Sequence, residues 1–329
     1  MKYLFYLLVI CLLSIGCNTE ENRLKEKQQK TETLKSKIEN FKKIGDYESA
    51  LEVCGELIYL DSSVAENYDS RSVIYEYLYK LDTTNKKLRE LAYKDASKAI
   101  LINPNCLRYL RRGEVSDRLF QEKNLTIKDY NLAFDLAEEP NDKARILNRR
   151  AVFYFSVLKD SLNSFRDFES SKALIGIEPN LKYHTKEYYS HCLMKCRLFQ
   201  RAETILMELI ENDVANSEPF YEEFPFYEDL IYCRIEQRNY LGALIIIESI
   251  NLPLKFKNHH KGYCLYKTGN VSEGKKLMME YKEPFPGPPY KGKKFNTSKY
   301  FLEVFPEYKS DTYVVTPKWD WPNDTQVED

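Results

Sequence analysis

The sequence predicts an all-α chain, a solenoid of about seven helix-turn-helix repeats followed by a non-repeat C-terminal tail. Three observations predict it. Only 11 glycines and 13 prolines occur among 329 residues, with the prolines gathered near the C-terminus, so long stretches lack the residues that punctuate sheets and hairpins. The stretch GDYESALEV at 45–53 returns as FQRAETILM at 199, RNYLGALII at 238 and TGNVSEGKKL at 268. The chain is also longer than one hydrophobic core usually supports, which leaves two domains or a quasi-linear array.

Charge excludes one class of partner. The 49 basic and 50 acidic residues nearly cancel, so no global field draws nucleic acid to the chain.

Residues 1–16, MKYLFYLLVICLLSIG, place one lysine before an apolar run that ends in small residues, the layout of a secretory signal too short to span a bilayer. Cleavage after Gly16 would leave Cys17 at the new N-terminus. This resembles the bacterial lipoprotein signal in the relaxed form found in Bacteroidetes-like lineages. The usual leucine three residues before the cysteine is Ser14 here, with Leu13 one place further back. The resemblance implies a lipid on the Cys17 sulfur and stable anchoring without a spanning helix. Asn18, rather than an aspartate, implies the outer membrane. Residues 17–30 are polar and read as a solvated tether.

Residues 31–282 carry the repeats. A small residue returns on the second helix of each unit at Ala50, Ala92, Thr126, Ser164, Ala202, Ala243 and Gly274. The facing first-helix positions are Ile38, Ser72, Gly113, Ala151, Ser190, Ile231 and Gly262. In four units the two positions are twelve residues apart, and unit two, with LDTTNKK at 81–87, gains roughly two helical turns. Prolines end helices in ILINPN at 100–105 and IGIEPN at 175–180. This pattern resembles the tetratricopeptide repeat, a helix-turn-helix of about 34 residues whose small side chains let two helices cross closely. The resemblance implies fourteen antiparallel helices in a right-handed superhelix, with the first helices lining a concave face that binds protein partners.

Units two, three and four share a further pattern: Arg71, Arg112 and Arg150 precede the first-helix small residue, and Asp95, Asp129 and Asp167 recur at a fixed place on the second helices. Their co-occurrence predicts three structural ion pairs. Arg108, Arg111, Arg145, Asn148 and Arg149 lie on first helices and are the candidate contacts for an acidic or C-terminal peptide group. They depart from the lysine/asparagine clamp of chaperone-binding members.

Six cysteines besides Cys11 and Cys17 read as small buried hydrophobes. His191, Cys192 and Cys196 share a helix face, but no second cluster with ligand spacing accompanies them, so no metal is expected. Nucleophile elbows, phosphate loops and paired metal-binding histidines are absent, which predicts no enzyme and no cofactor.

Residues 283–329 leave the repeat pattern at EPFPGPPYKGKKF, and TSKYFLEVF at 297–305 can form a short helix. The aromatic load, Trp319 and Trp321 included, predicts a tail that folds back as a cap. The expected function is a lipid-anchored scaffold that binds another envelope protein or peptide. The alternatives are a nutrient-capture lipoprotein resembling the SusD family or an assembly lipoprotein resembling BamD.

Overall fold

Helix follows helix because the breakers sit between apolar-periodic stretches. The computed structural model describes residues 2–119, 123–175, 183–216, 225–249, 257–280, 295–297, 299–306 and 312–314. The chain divides into two compact units, Met1–Ile146 and Leu147–Asp329.

The first unit holds α1 (Lys2–Ile44), α2 (Tyr47–Leu60), α3 (Ala65–Leu81), α4 (Lys86–Ile102), α5 (Cys106–Leu119), α6 (Lys123–Leu136) and the start of α7 (Pro140–Phe153), inside which the division falls. The helix α1 continues without a break through residues 17–30, and its side chains from 22 to 30 are exposed. From residue 22 onward Leu34 and Ile38 are its first buried residues, meeting Ala50, Val53, Cys54 and Leu57 of α2 and Ile74 of α3 in one core cluster. Neither α1 nor any other described helix is long and apolar enough to cross a membrane.

The second unit holds the rest of α7, a π-helical turn at Tyr154–Leu158, α8 (Ser161–Ile175), α9 (Tyr183–Lys195), α10 (Phe199–Asn216), α11 (Pro225–Glu236), α12 (Tyr240–Ser249), α13 (Lys257–Lys267) and α14 (Val271–Glu280). Beyond these lie β1 (Phe295–Thr297), α15 (Lys299–Val304) and β2 (Thr312–Val314), the two strands pairing in parallel with Phe295 opposite Thr312. One core runs from Ala151 and Phe155 through α9–α14 to Met278, and Tyr300, Val304 and Phe305 join it. The short helix of the tail therefore packs on the repeats. Trp319 and Trp321 lie outside the described residues.

All fourteen crossing positions are buried. The approach is close in unit seven, where a Cβ on Gly274 would stand 2.6 Å from the Gly262 carbonyl oxygen, and one on Gly262 2.8 Å from the Gly274 oxygen. In unit two the Ser72 hydroxyl bridges the same crossing by donating to the Ala92 carbonyl at 2.9 Å.

The turn inside four of the units is built by one device. In units one, five, six and seven the first helix ends in a residue with positive φ, at Gly45, Arg197, Arg238 and Gly269. The following N–H bonds back five residues in each: Asp46 to Phe41, Leu198 to Leu193, Asn239 to Arg234 and Asn270 to Leu265. This is the Schellman ending, which satisfies the last free carbonyls and reverses the chain in two residues. Asp46 and Asn239 then cap the second helix, accepting from the Ser49 and Gly242 N–H groups at 3.1 and 3.0 Å. Unit four instead ends its first helix in the π-helical turn, which takes up an extra residue within a helix.

Candidate peptide-binding pocket

Three arginine–aspartate pairs are built into the hairpins with one geometry. Arg71 Nε and Nη2 donate to Asp95 at 2.6 and 2.8 Å, Arg112 to Asp129 at 2.8 and 2.6 Å, and Arg150 to Asp167 at 2.7 and 2.7 Å. These forks satisfy both carboxylate oxygens and tie first helix to second. The hydrogen bonds from Asp95 and Asp129 raise the pKa of Arg71 and Arg112 against the opposing effect of burial.

The candidate ligand contacts fare differently from one another. Arg108, only 5% exposed, is committed within the fold: Nε donates to Asp69 at 2.8 Å, Nη2 to Glu66 at 2.6 Å and Nη1 to the Asn103 carbonyl at 2.7 Å. Burial would lower its pKa, but the bonds to Asp69 and Glu66 outweigh that and raise it. Arg111, one position before Arg112 on α5, is half-buried, and its guanidinium has no hydrogen bond or ion pair among the described residues. Arg145 is exposed and Arg149 half-buried on α7. Asn148 Oδ1 is buried without a hydrogen-bond partner among the described residues.

Arg111 opens on a pocket of about 150 Å³ between α1, α3 and α5, three successive first helices. Ile38 and Val73 give it an apolar floor, and Glu39, Lys42, Asp69 and Ser70 complete the lining. Asp69 spends one oxygen on Arg108; the other, Oδ1, is buried and has no partner among the described residues. An unpaired buried carboxylate oxygen is costly, and a donor brought by a ligand would relieve it. Among the described residues the Lys42 ammonium is held only by an exposed bond to Glu39 at 2.7 Å, too weak a restraint to keep it from a ligand. The pocket thus offers an acceptor at Asp69 and donors at Arg111 and Lys42 above an apolar surface. That combination suits the N–H and C=O or carboxylate groups of a peptide.

Asp69 and Glu66 escaped the reading of the sequence. The signal for them was spacing: Asp69 and Glu66 precede Arg108 by 39 and 42 residues, close to one repeat, so they stand at neighbouring places on adjacent first helices. A second missed pair is His191 Nε2 with Asp229 at 2.7 Å, both buried, again across successive first helices.

Five of the six cysteines expected to be buried are so, while Cys106 is only half-buried. Cys54, Cys192, Cys196, Cys233 and Cys264 are buried free thiols, and burial pushes Cys54 and Cys264 up to about 12 and Cys192 well above its usual range. Cys54, Cys192 and Cys264 are therefore thiols rather than thiolates at neutral pH, and all five buried cysteines pack as small apolar groups. Among the described residues no group of three or more His, Cys, Asp or Glu could hold a metal ion.

PilF of Pseudomonas aeruginosa superposes with a TM-score of 0.52, at 13% identity, over 77% of this chain and 99% of that one. The likeness is one of fold. A tetratricopeptide repeat protein from Parabacteroides merdae matches at 15% identity and a TM-score of 0.48, over 85% and 99% of the two chains. PilW, a type IV pilus biogenesis factor, matches at 17% and 0.44, over 71% and 98%. No family model and no curated protein matches the chain. The chain is an α-helical array of helix-turn-helix repeats of this architecture.

Proposed function

We propose that this chain is a non-catalytic scaffold that binds an extended segment of another protein in the pocket between α1, α3 and α5. The observation that carries the reading is the pair of unspent groups on one pocket: the Arg111 guanidinium and the buried Asp69 Oδ1. Asp69 would accept from a main-chain N–H of the segment while Arg111 takes a carbonyl or carboxylate. The side chain between them would lie on Ile38 and Val73.

The layout of residues 1–17 supports an anchored location, with a lipid on the Cys17 sulfur holding the scaffold at a bacterial envelope membrane. The exposed helical stretch from 22 to 30 would then set the repeats off from the lipid surface. Replacing Cys17 with serine is expected to move the protein from the membrane pellet to the soluble fraction. Its retention after a carbonate wash would reject the anchor.

The pocket is tested with peptides. An array of peptides with free and amidated C-termini, probed with the wild-type protein and with Arg111→Glu, should yield ligands that the variant loses. An array on which both proteins bind the same peptides equally would reject this pocket as the site.

A further inference from the structure

The second unit holds a larger cavity that the scaffold reading does not use, about 640 Å³, within the range of ligand pockets. It lies where the unit-six turn, the end of α13 and the tail helix α15 meet. Three tyrosine rings form its wall. Tyr263 and Tyr300 stack with centroids 4.6 Å apart, and Tyr240 meets Tyr263 edge-on at 6.0 Å.

Four charged groups line the same cavity, and three are committed. Glu303 of the tail accepts from Tyr263 at 2.6 Å and from Lys267 at 2.7 Å, so both of its oxygens are used. Lys267 also lies over the faces of Tyr240 and Tyr263, 5.6 and 5.7 Å from their centroids. Glu236 accepts from the Tyr300 hydroxyl at 2.7 Å. The fourth group is Arg238. It is exposed, it lines the cavity, and its charge helps hold the Glu303 carboxyl below its usual range, but its guanidinium has no hydrogen bond or ion pair among the described residues. The carboxylates are therefore satisfied, and the unspent valence of the cavity is a cation fork beside a wall of tyrosine rings.

We propose that this cavity binds an organic carboxylate with a flat or apolar body, its carboxylate paired with Arg238 and its body laid on the half-buried Tyr240, against the rims of the buried Tyr263 and Tyr300. The hold of Lys267 and Tyr263 on Glu303 shows the same chemistry satisfied within the chain; Arg238 extends it to a second carboxylate from outside. The tail helix is part of this site because it supplies Tyr300 and Glu303. The carboxylate can belong to the end of a peptide or to a free small molecule.

The backbone at Arg238 provides a clean test. Its φ is +60°, and the equivalent turn residues in units one and seven are Gly45 and Gly269. Arg238→Gly therefore removes the guanidinium while suiting the turn, so the fold is kept. The probes are N-acetylphenylalanine, N-acetylphenylalaninamide, and the pentapeptide Ala-Ala-Ala-Ala-Phe with free and amidated ends, titrated by calorimetry and by ligand-observed magnetic resonance. At least one free acid should bind wild type about tenfold more tightly than its amide, and Arg238→Gly should lose that preference at an undiminished melting temperature. A pentapeptide acid that outbinds the single residue identifies a peptide end as the source, and equal binding identifies a free carboxylate; both support the site. Equal binding of acid and amide, an unchanged preference in Arg238→Gly, or no binding by any probe would overturn it.

Discussion

Arg112 and Asp129 show what a single residue contributes to this chain. Asp129 is 2% exposed and has both carboxylate oxygens on the Arg112 fork. Arg112→Ala would leave a buried charge without its partner and should cost about 2–4 kcal/mol in denaturant unfolding, while Arg112→Met with Asp129→Leu should recover most of the loss. His259 makes a second case at this scale. It is buried on α13, which lowers its pKa to about 4; His260 beside it is lowered to about 3 by burial first and by His259 second. The folded protein keeps both neutral where the unfolded chain takes up protons, so their effect is nil above pH 6.5 and stability falls as pH drops from 6.5 toward about 4. His259 alone should account for about 1–3 kcal/mol of that loss, and the fall in melting temperature between pH 7 and 4.5 should be shallower in His259→Gln. The arginine–aspartate pairs could be named from the sequence because both members recur at fixed places in three units. Arg108 could not be told from Arg111, since both are arginines on one helix and only packing decides that α3 brings Asp69 and Glu66 to the first.

At the scale of an element, the helix hairpin is set by what its crossing will admit. Gly274→Ala would drive a Cβ to 2.6 Å from the Gly262 carbonyl oxygen and the Tyr266 nitrogen, both backbone atoms that cannot rotate away. The expected cost is about 1–3 kcal/mol. Gly55, inside α2, is the matched control: a Cβ there meets nothing within 4 Å, so Gly55→Ala should stabilise by about 0.5–1 kcal/mol. Thermal unfolding of both variants checks the register, since a crossing placed elsewhere would make the two substitutions alike. The crossings were legible because a small residue returns at the same place on the second helix of every unit, although the spacing between units varies. The turns were less so: Gly45 and Gly269 announce a positive φ, whereas Arg197 and Arg238 adopt the same conformation without any residue-type signal. The π-helical turn of unit four was also invisible, because one extra residue can be absorbed in a helix or in a loop at similar cost.

Across the whole molecule, each repeat buries its apolar face only against its neighbours, so stability accrues by stacking and the last repeat needs a cover. In the second unit Tyr300, Val304 and Phe305 of the tail enter the core beside α11 and α13, and the Tyr300 hydroxyl reaches Glu236. The composition of 283–329 pointed to a tail too apolar to remain free, but a sequence of aromatics does not say which of them turns inward. The pocket between α1, α3 and α5 lay further from reach: its two unspent groups come from different repeats and become a pair only when the first helices stand side by side. The scaffold reading rests on that pocket. Its most direct test is amide hydrogen–deuterium exchange of the full chain with and without a peptide selected on the array. New protection should fall on residues 34–42, 66–74 and 107–114, the stretches of α1, α3 and α5 around the pocket. Protection confined to the second helices α2, α4 and α6, or none in the first unit, would contradict the account.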